Sequence, residues 1–363
     1  MKIAIVSTYP PIKCGIATYT SYLVKELKSL QNEIHVVSQF GAKGRRVYGV
    51  FKADDPDLAE KISKTIAKIN PEVVHIQHEY GLYGGRKKVN IISLLHKLKS
   101  FHIPLVITLH TVYEEFNKKE KLIIKELTKL ADAIIVHHHY QKEAIRSVIG
   151  NADQIYVIPH GMRIIEPIPR AKKRLGLEGK KVVLLSGYFR ASKGFEKMVN
   201  LFPRIAEELP EAVLVIAGGT RLPEYSAYTD ELLHLINESP VRDKIRVLRD
   251  PFPQPTFDVI FSAADVVAFP YLKSSQSGIM AHCIGFGKPA VTSNLRTFRE
   301  LMQEARNGLI AWDNEELASK TIKILKDDKL RKTLSENAKR YAREKASWKI
   351  VAGKVVDLYH RVM

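Results

Sequence analysis

The chain has 363 residues, 45% hydrophobic and 26% charged, a balance that supplies two ordinary domains with buried cores and excludes a mostly disordered chain. Gly 20 and Pro 17 exclude a collagen-like chain, and two cysteines, Cys14 and Cys283, are too few for a disulfide framework or a Cys-rich zinc module. Lys+Arg 57 against Asp+Glu 39 gives a net charge of +18, which favours anionic partners (nucleotides, nucleic acid, acidic headgroups) without choosing among them.

The apolar start at 2–7 is short and has no small-residue cleavage site after it, so it is read as a first strand and not as a signal peptide. No run approaches the roughly 18 apolar residues of a spanning helix. Further strands are predicted at 34–38, 73–77, 105–109, 134–136 and 155–158. Ile16, Tyr19, Leu23, Leu27 and Leu30 share one helical face, as do Leu58, Ile62, Ile66 and Ile69. Strands alternating with helices predict a mostly parallel sheet covered on both faces. A proline-marked basic stretch at 159–174 interrupts the rhythm, which restarts with strands at 182–186, 212–217, 245–248, 266–269, 290–292 and 309–311. Helical spacing recurs at Phe195, Met198, Phe202, Ile205 and Leu209 and at 317–325, and two last helices are expected over 329–341 and 348–362. The reading is two doubly wound α/β domains with a boundary near 162–175. Ligands in such sheets sit outside the carboxyl ends of strands, and a cleft between two facing domains is the expected site.

The loops at those strand ends carry the chemistry. Thr8-Tyr9-Pro10-Pro11-Ile12-Lys13-Cys14-Gly15 leads into a helix, where Gly15 either lets backbone approach a ligand or completes an ordinary turn; the dinucleotide fingerprint is absent. His110 follows the fourth predicted strand, as a cleft residue or as a satisfied loop histidine. His75 and His78 lack zincin spacing and point to opposite faces of a strand, His137-His138-His139 are adjacent and cannot all face one ion, and Asp55 and Asp57 precede a helix as its capping region. No metal site is expected. Arg190 and Lys193, in Ser186-Gly187-Tyr188-Phe189-Arg190-Ala191-Ser192-Lys193-Gly194, combine a forked donor and an ammonium with a helix start, a pattern that suits a diphosphate unless the loop is merely solvated. The spacing is not that of a Walker loop. A second anion-binding helix start is expected from the N–H groups of Ser277, Gly278, Ile279 and Met280.

The segments PPIKCGIATY, VVHIQHEYGLYGG, VITLH, VIPHG, GYFRASKGFEKMVNLF, ADVVAFPY and QSGIMAHCIGFGKPAVTS, with the late tryptophan of SWKIVAGKVVDLY, occur in an order and spacing that resembles the retaining glycosyltransferases of family 4, with the GT-B fold of two Rossmann-like domains, over nearly the whole chain. The resemblance implies an acceptor-side domain at 1–165, a nucleotide-sugar domain at 166–345 and a helix at 346–363 that returns to the first domain. It implies retention at the anomeric carbon, no metal or other cofactor, and a UDP- or GDP-sugar rather than an ADP-sugar as donor. His110 would lie near the transferred sugar, Gly15 beside the diphosphate and sugar, and Arg190 and Lys193 on the diphosphate; His110, Arg190 and Lys193 are the catalytic set. Glu300, in FREL, matches a later donor-binding glutamate. Two family glutamates eight positions apart correspond here to Ser274 and His282, and His282 would take the ribose position without copying a carboxylate. The acceptor would be a carbohydrate or a lipid-linked species, and no nucleic acid is expected because the basic residues are scattered and carry no recognised motif. A catalytically degenerate sugar-nucleotide-binding protein, acting as a partner or regulator, is the alternative.

Two cysteines without a framework favour a reduced, cytoplasmic setting. Basic clusters at Lys43-Gly44-Arg45-Arg46 and Arg86-Lys87-Lys88 are read either as a surface for an anionic acceptor or headgroup or as a solvated face. A helix within 115–132 would place Phe116, Ile123, Leu127 and Leu130 on one stripe and Lys118, Lys121, Lys125 and Lys129 on another. That is a pattern for peripheral contact with an anionic membrane face, unless the apolar stripe packs on the sheet.

Overall fold

A computed structural model describes residues 1–83, 90–220, 223–249 and 252–363. The chain divides into two units, Met1–Gly161 with Trp348–Met363 and Met162–Ser347. Unit 1 contains β1 (Lys2–Val6), α1 (Gly15–Ser29), β2 (Glu33–Gln39), β3 (Val47–Phe51), α2 (Leu58–Ile69), β4 (Val73–His78), α3 (Asn90–Lys99), β5 (Leu105–Leu109), α4 (Lys118–Leu130), β6 (Ala133–Val136), α5 (His139–Ile149) and β7 (Ile155–Val157). Unit 2 contains α6 (Ala171–Arg174), β8 (Lys181–Ser186), α7 (Phe195–Glu208), β9 (Ala212–Gly218), α8 (Ser226–Asn237), β10 (Ile245–Arg249), α9 (Gln254–Ala263), β11 (Val266–Phe269), α10 (Gly278–Gly285), β12 (Ala290–Ser293), α11 (Arg296–Ala305), β13 (Gly308–Ala311), α12 (Asn314–Lys326) and α13 (Asp328–Tyr341). The last helix, α14 (Trp348–Val362), belongs to unit 1.

All strand pairs are parallel, in the orders β3-β2-β1-β4-β5-β6-β7 and β10-β9-β8-β11-β12-β13. The central strands are buried along their length because helices cover both faces, which is why they read as continuous apolar runs. Strand order reverses at β1/β4 in unit 1 and at β8/β11 in unit 2, so the chain leaves neighbouring strands in opposite directions there and opens a crevice at their carboxyl ends. Edge strand β3 escapes sequence reading: Val47-Tyr48-Gly49-Val50-Phe51 is short, carries a mid-strand glycine and is only partly buried.

The two faces of the unit 1 sheet carry separate cores. One gathers Ile62 and Ile66 of α2, Leu94 and Leu95 of α3 and Ile123 and Leu127 of α4; the other gathers Leu23 and Leu27 of α1 with Trp348, Val351, Val355 and Tyr359 of α14. Of the two readings of the α4 apolar stripe, the structure shows packing on the sheet. Phe116, Ile123, Leu127 and Leu130 all lie in the first of these cores, so no apolar stripe is left to enter lipid, while Lys118, Lys121, Lys125 and Lys129 are exposed. Lys43, Arg45 and Arg46 are exposed between β2 and β3; Arg86-Lys87-Lys88 lies outside the described residues. Among the described residues no helix is long and apolar enough to cross a membrane. Both cysteines are buried free thiols.

Candidate functional site

In unit 2 the chain leaves β8 through Gly187, whose φ of +123° suits glycine. It then buries Phe189, exposes Arg190 and turns through a 3₁₀ segment, Ala191–Lys193, into α7. Gly194 caps α7 in the left-handed region at φ +60°, and a Cβ there would clash with the Pro270 carbonyl oxygen, so this position is closed to any side chain. That close approach joins the loops after β8 and β11. Leu272 N–H donates to the Ser192 carbonyl at 3.0 Å, and Ser293 Oγ donates to the Tyr271 carbonyl at 2.7 Å.

Inside this junction the Lys193 ammonium is buried. It donates to Tyr271 Oη at 2.5 Å and lies 4.0 Å from the centre of the same ring. Burial, with the nearby Arg190 charge, lowers its pKa to about 7. Burial also raises the Tyr271 pKa, while a Ser277 hydrogen bond and the Arg190 charge act in the opposite sense. Ser277 caps α10, its Oγ accepting from Met280 N–H at 3.2 Å. Met280, named in the expected donor set, has its N–H on the Ser277 hydroxyl and its side chain buried. Gly278 and Ile279 supply the remaining first-turn N–H groups. A Cβ on Gly187 would stand 3.4 Å from Ile279 Cγ1 and 3.6 Å from Lys193 Nζ, so these three residues line one spot. Two cations, a phenol and a helix start therefore converge at the carboxyl ends of β8 and β11, an arrangement built for an anion.

His282 lies one turn further along α10. Its ring stands edge-on to Phe257 at 5.0 Å, and burial, with the Arg163 charge, holds it neutral with a pKa lowered to about 4. Ser274 Oγ donates to the Gln276 carbonyl at 2.9 Å, inside its own loop. Glu300 lies on α11; burial, then the Glu304 carboxylate and lastly the Glu300 charge raise the pKa of the Tyr341 phenol of α13.

In unit 1, Cys14 precedes the first residue of α1, Gly15, and a Cβ on Gly15 would meet nothing within 4 Å. No packing demand explains that glycine. His110 follows β5 and is 1% exposed, its backbone N–H donating to the His78 carbonyl at 3.0 Å. Tyr19 of α1 stands edge-on to the ring at 4.7 Å, and the His137 ring lies 5.4 Å away. Burial, then the neighbouring histidines His137, His160, His78 and His75, lowers the His110 pKa well below the ordinary value, so the ring is neutral. His75 and His78 face opposite sides of β4: His75 meets Tyr359 of α14, and His78 stacks on Tyr83. Among the described residues no group of three or more His, Cys, Asp or Glu side chains is placed to hold a metal ion.

Sequence reasoning assigned no role to Tyr271 or Gln77. Tyr271 stands two residues past the end of β11, which is the available signal; Gln77 reads in sequence as an ordinary strand residue, and only its contact with His110 marks it.

Residues 14–164 match the family described as Glycosyltransferase Family 4, and residues 167–341 match Glycosyl transferases group 1. The chain is similar to an uncharacterized glycosyltransferase of Methanocaldococcus jannaschii, 23% identical with 100% of this chain and 99% of that protein covered. Its fold is that of Anabaena HepE, solved in complex with UDP-glucose (TM-score 0.79, 17% identity, 99% and 100% covered). It is also that of sucrose-phosphate synthase from Thermosynechococcus elongatus (TM-score 0.83, 18% identity, 99% and 98% covered).

Proposed function

Because the chain is a GT-B-fold glycosyltransferase with family-4 and group-1 homology in its two halves, we propose that it is a metal-independent, retaining transferase. It moves a sugar from a UDP-sugar to a hydroxyl of a carbohydrate or lipid-linked acceptor. Unit 2 takes the nucleotide and unit 1 the acceptor. The observation that carries the reading is the junction of Arg190, Lys193, Tyr271 and the α10 start at the β8/β11 switch point. As the anomeric C–O bond lengthens, the sugar becomes oxocarbenium-like and charge collects on the leaving phosphate. Arg190, Lys193 and the Gly278 and Ile279 N–H groups stabilise that charge where it grows. The acceptor hydroxyl attacks the face the phosphate leaves and passes its proton to the phosphate oxygen, which retains configuration. His110, neutral and buried, is the sugar-orienting residue of unit 1, and Gly15 leaves open space at the start of α1.

Calorimetric titration of UDP-glucose in excess chelator tests this. Wild-type protein binds, and Arg190→Ala weakens binding by roughly tenfold or more, the effect of losing one charge-assisted donor. Unchanged affinity in Arg190→Ala, or binding that requires added magnesium or manganese, overturns the reading. Ser274 and His282, standing where the family has glutamates and held by Gln276 and Phe257, favour a second reading: a binding protein that retains UDP-sugar affinity without turnover. Release of UDP and free sugar from a panel of UDP-sugars separates the two.

A further inference from the structure

A line of polar side chains runs through the otherwise apolar core between the unit 1 sheet and the α1/α14 layer. Its neighbours there are Ile3, Ile5, Val73, Val106, Val355 and Leu358. His75 and Gln77 sit two apart on one face of β4, and Thr108 of β5 pairs with Gln77. Tyr359 Oη lies 2.6 Å from His75 Nδ1, and Thr108 Oγ1 lies 2.8 Å from His75 Nε2. Gln77 Nε2 lies 3.1 Å from the same His75 Nε2, and Gln77 Oε1 lies 2.8 Å from His110 Nε2. His75, Gln77, Thr108 and Tyr359 are each 0% exposed.

Hydrogen-bond chemistry orders this line. An amide nitrogen only donates, so His75 Nε2 accepts and its proton sits on Nδ1, where it donates to Tyr359 Oη. An amide oxygen only accepts, so the proton of the neutral His110 ring sits on Nε2. Turning the Gln77 amide over would reverse each polarity and move the His110 proton to Nδ1. Apolar residues would fill this core at lower desolvation cost, and a buried chain of hydrogen bonds from Tyr359 to His110 Nε2 favours one arrangement. We propose that Tyr359, His75 and Gln77 are positioning residues that hold His110 as its Nε2–H tautomer and fix its ring plane. The C-terminal helix thereby takes part in setting the sugar-side histidine. The inference rests on the role given to His110 above.

The test is a long-range ¹H–¹⁵N spectrum of histidine-labelled protein, with the His110 signals identified by their loss in His110→Gln. Wild-type protein shows His110 as the Nε2–H tautomer. Tyr359→Phe, or Gln77→Met if the first does not fold, gives mixed or reversed His110 signals. In both variants UDP-glucose hydrolysis has kcat lower by roughly tenfold with KM unchanged, the effect of one orienting hydrogen bond. Gln77→Glu, whose carboxylate only accepts, restores the Nε2–H tautomer and turnover in the Tyr359→Phe background, which a merely structural role for Tyr359 would not allow. A wild-type Nδ1–H tautomer, or an unmoved Nε2–H signal in folded Tyr359→Phe or Gln77→Met, overturns the relay. If His110→Gln leaves hydrolysis unchanged, the sugar-side role of His110 falls, and the spectra still decide the relay. If His110→Gln loses turnover while Tyr359→Phe moves neither kcat nor the signals, the relay falls and that role stands.

Discussion

Lys193 shows how one side chain joins packing to function. An ammonium without an anion is poorly solvated in this position, with the cationic Arg190 nearby and a phenol as its hydrogen-bond partner, and its pKa falls to about 7. A diphosphate beside it supplies the missing negative charge and raises that pKa again. Above pH 7 the free protein therefore has Lys193 increasingly deprotonated, and binding must take up a proton. UDP-glucose affinity should then fall by up to about tenfold per pH unit from pH 7 to 8.5, because each unit of unmatched protonation is a factor of ten. Titrations at pH 8 in buffers of different ionisation enthalpy should report uptake approaching one proton. Lys193→Met should abolish the uptake, and buffer-independent heats in wild-type protein would remove Lys193 from the diphosphate. UDP-glucose is the right probe, since its diphosphate has no terminal phosphate that titrates near pH 6.

Among the elements, α4 separates two readings that share one pattern. Amphipathic spacing identifies a helix with an apolar face, and the same spacing serves a membrane or a core. Here Ile123, Ile124 and Leu127 pack into the α2/α3 side of the unit 1 core, and the Asn117–Glu120 capping box fixes where the helix begins. Leu127→Ala should destabilise unit 1 by about 2–5 kcal/mol. Lys118→Glu with Lys125→Glu should stay within about 0.5 kcal/mol, as exposed changes do. Thermal denaturation of the two variants checks the contrast. Equal effects would mean that the helix is not seated by its apolar face. The α7 start makes a related point: Gly194 holds α7 and the Pro270 loop together through a contact that no other residue type permits.

For the whole molecule, the two units differ in how their cores are assembled along the chain. Unit 2 is continuous, Met162–Ser347, and its core is gathered entirely from that segment. Unit 1 needs α14. Trp348, Val351, Val355, Leu358 and Tyr359 cover the sheet face that holds Ile3, Ile5 and Val106, and Trp348 lies edge-on to Tyr19 at 4.9 Å. Burying such side chains contributes roughly 1.5–3 kcal/mol each, which together rivals the net stability of a domain. A fragment of residues 162–347 should thus unfold cooperatively by itself, whereas 1–161 should fail to fold until residues 348–363 are supplied in cis. Circular dichroism melts of the three fragments decide this, and a cooperative melt for 1–161 alone would show α14 to be dispensable.

All six strands of unit 2 and six of the seven in unit 1 are legible in the sequence, because strands buried on both faces appear as short apolar runs bounded by turn residues. The order of those runs, alternating with helices, also determines a pair of parallel sheets. Arg190 and Lys193 stand out for a similar local reason: charge placed between a strand end and a helix start is visible without coordinates. The partners of these residues are not. Tyr271 meets Lys193 across 78 residues, and Tyr359 meets His75 across 284. Periodicity carries no information about which distant side chains share a layer once the sheet is wound. The sequence therefore determined the elements and the cations at their ends. Tertiary structure alone decided that Lys193 is buried against a phenol, that the α4 stripe is spent on the core, and that the last helix reaches the network beneath His110, since burial and hydrogen-bond partners arise only when non-neighbouring segments pack.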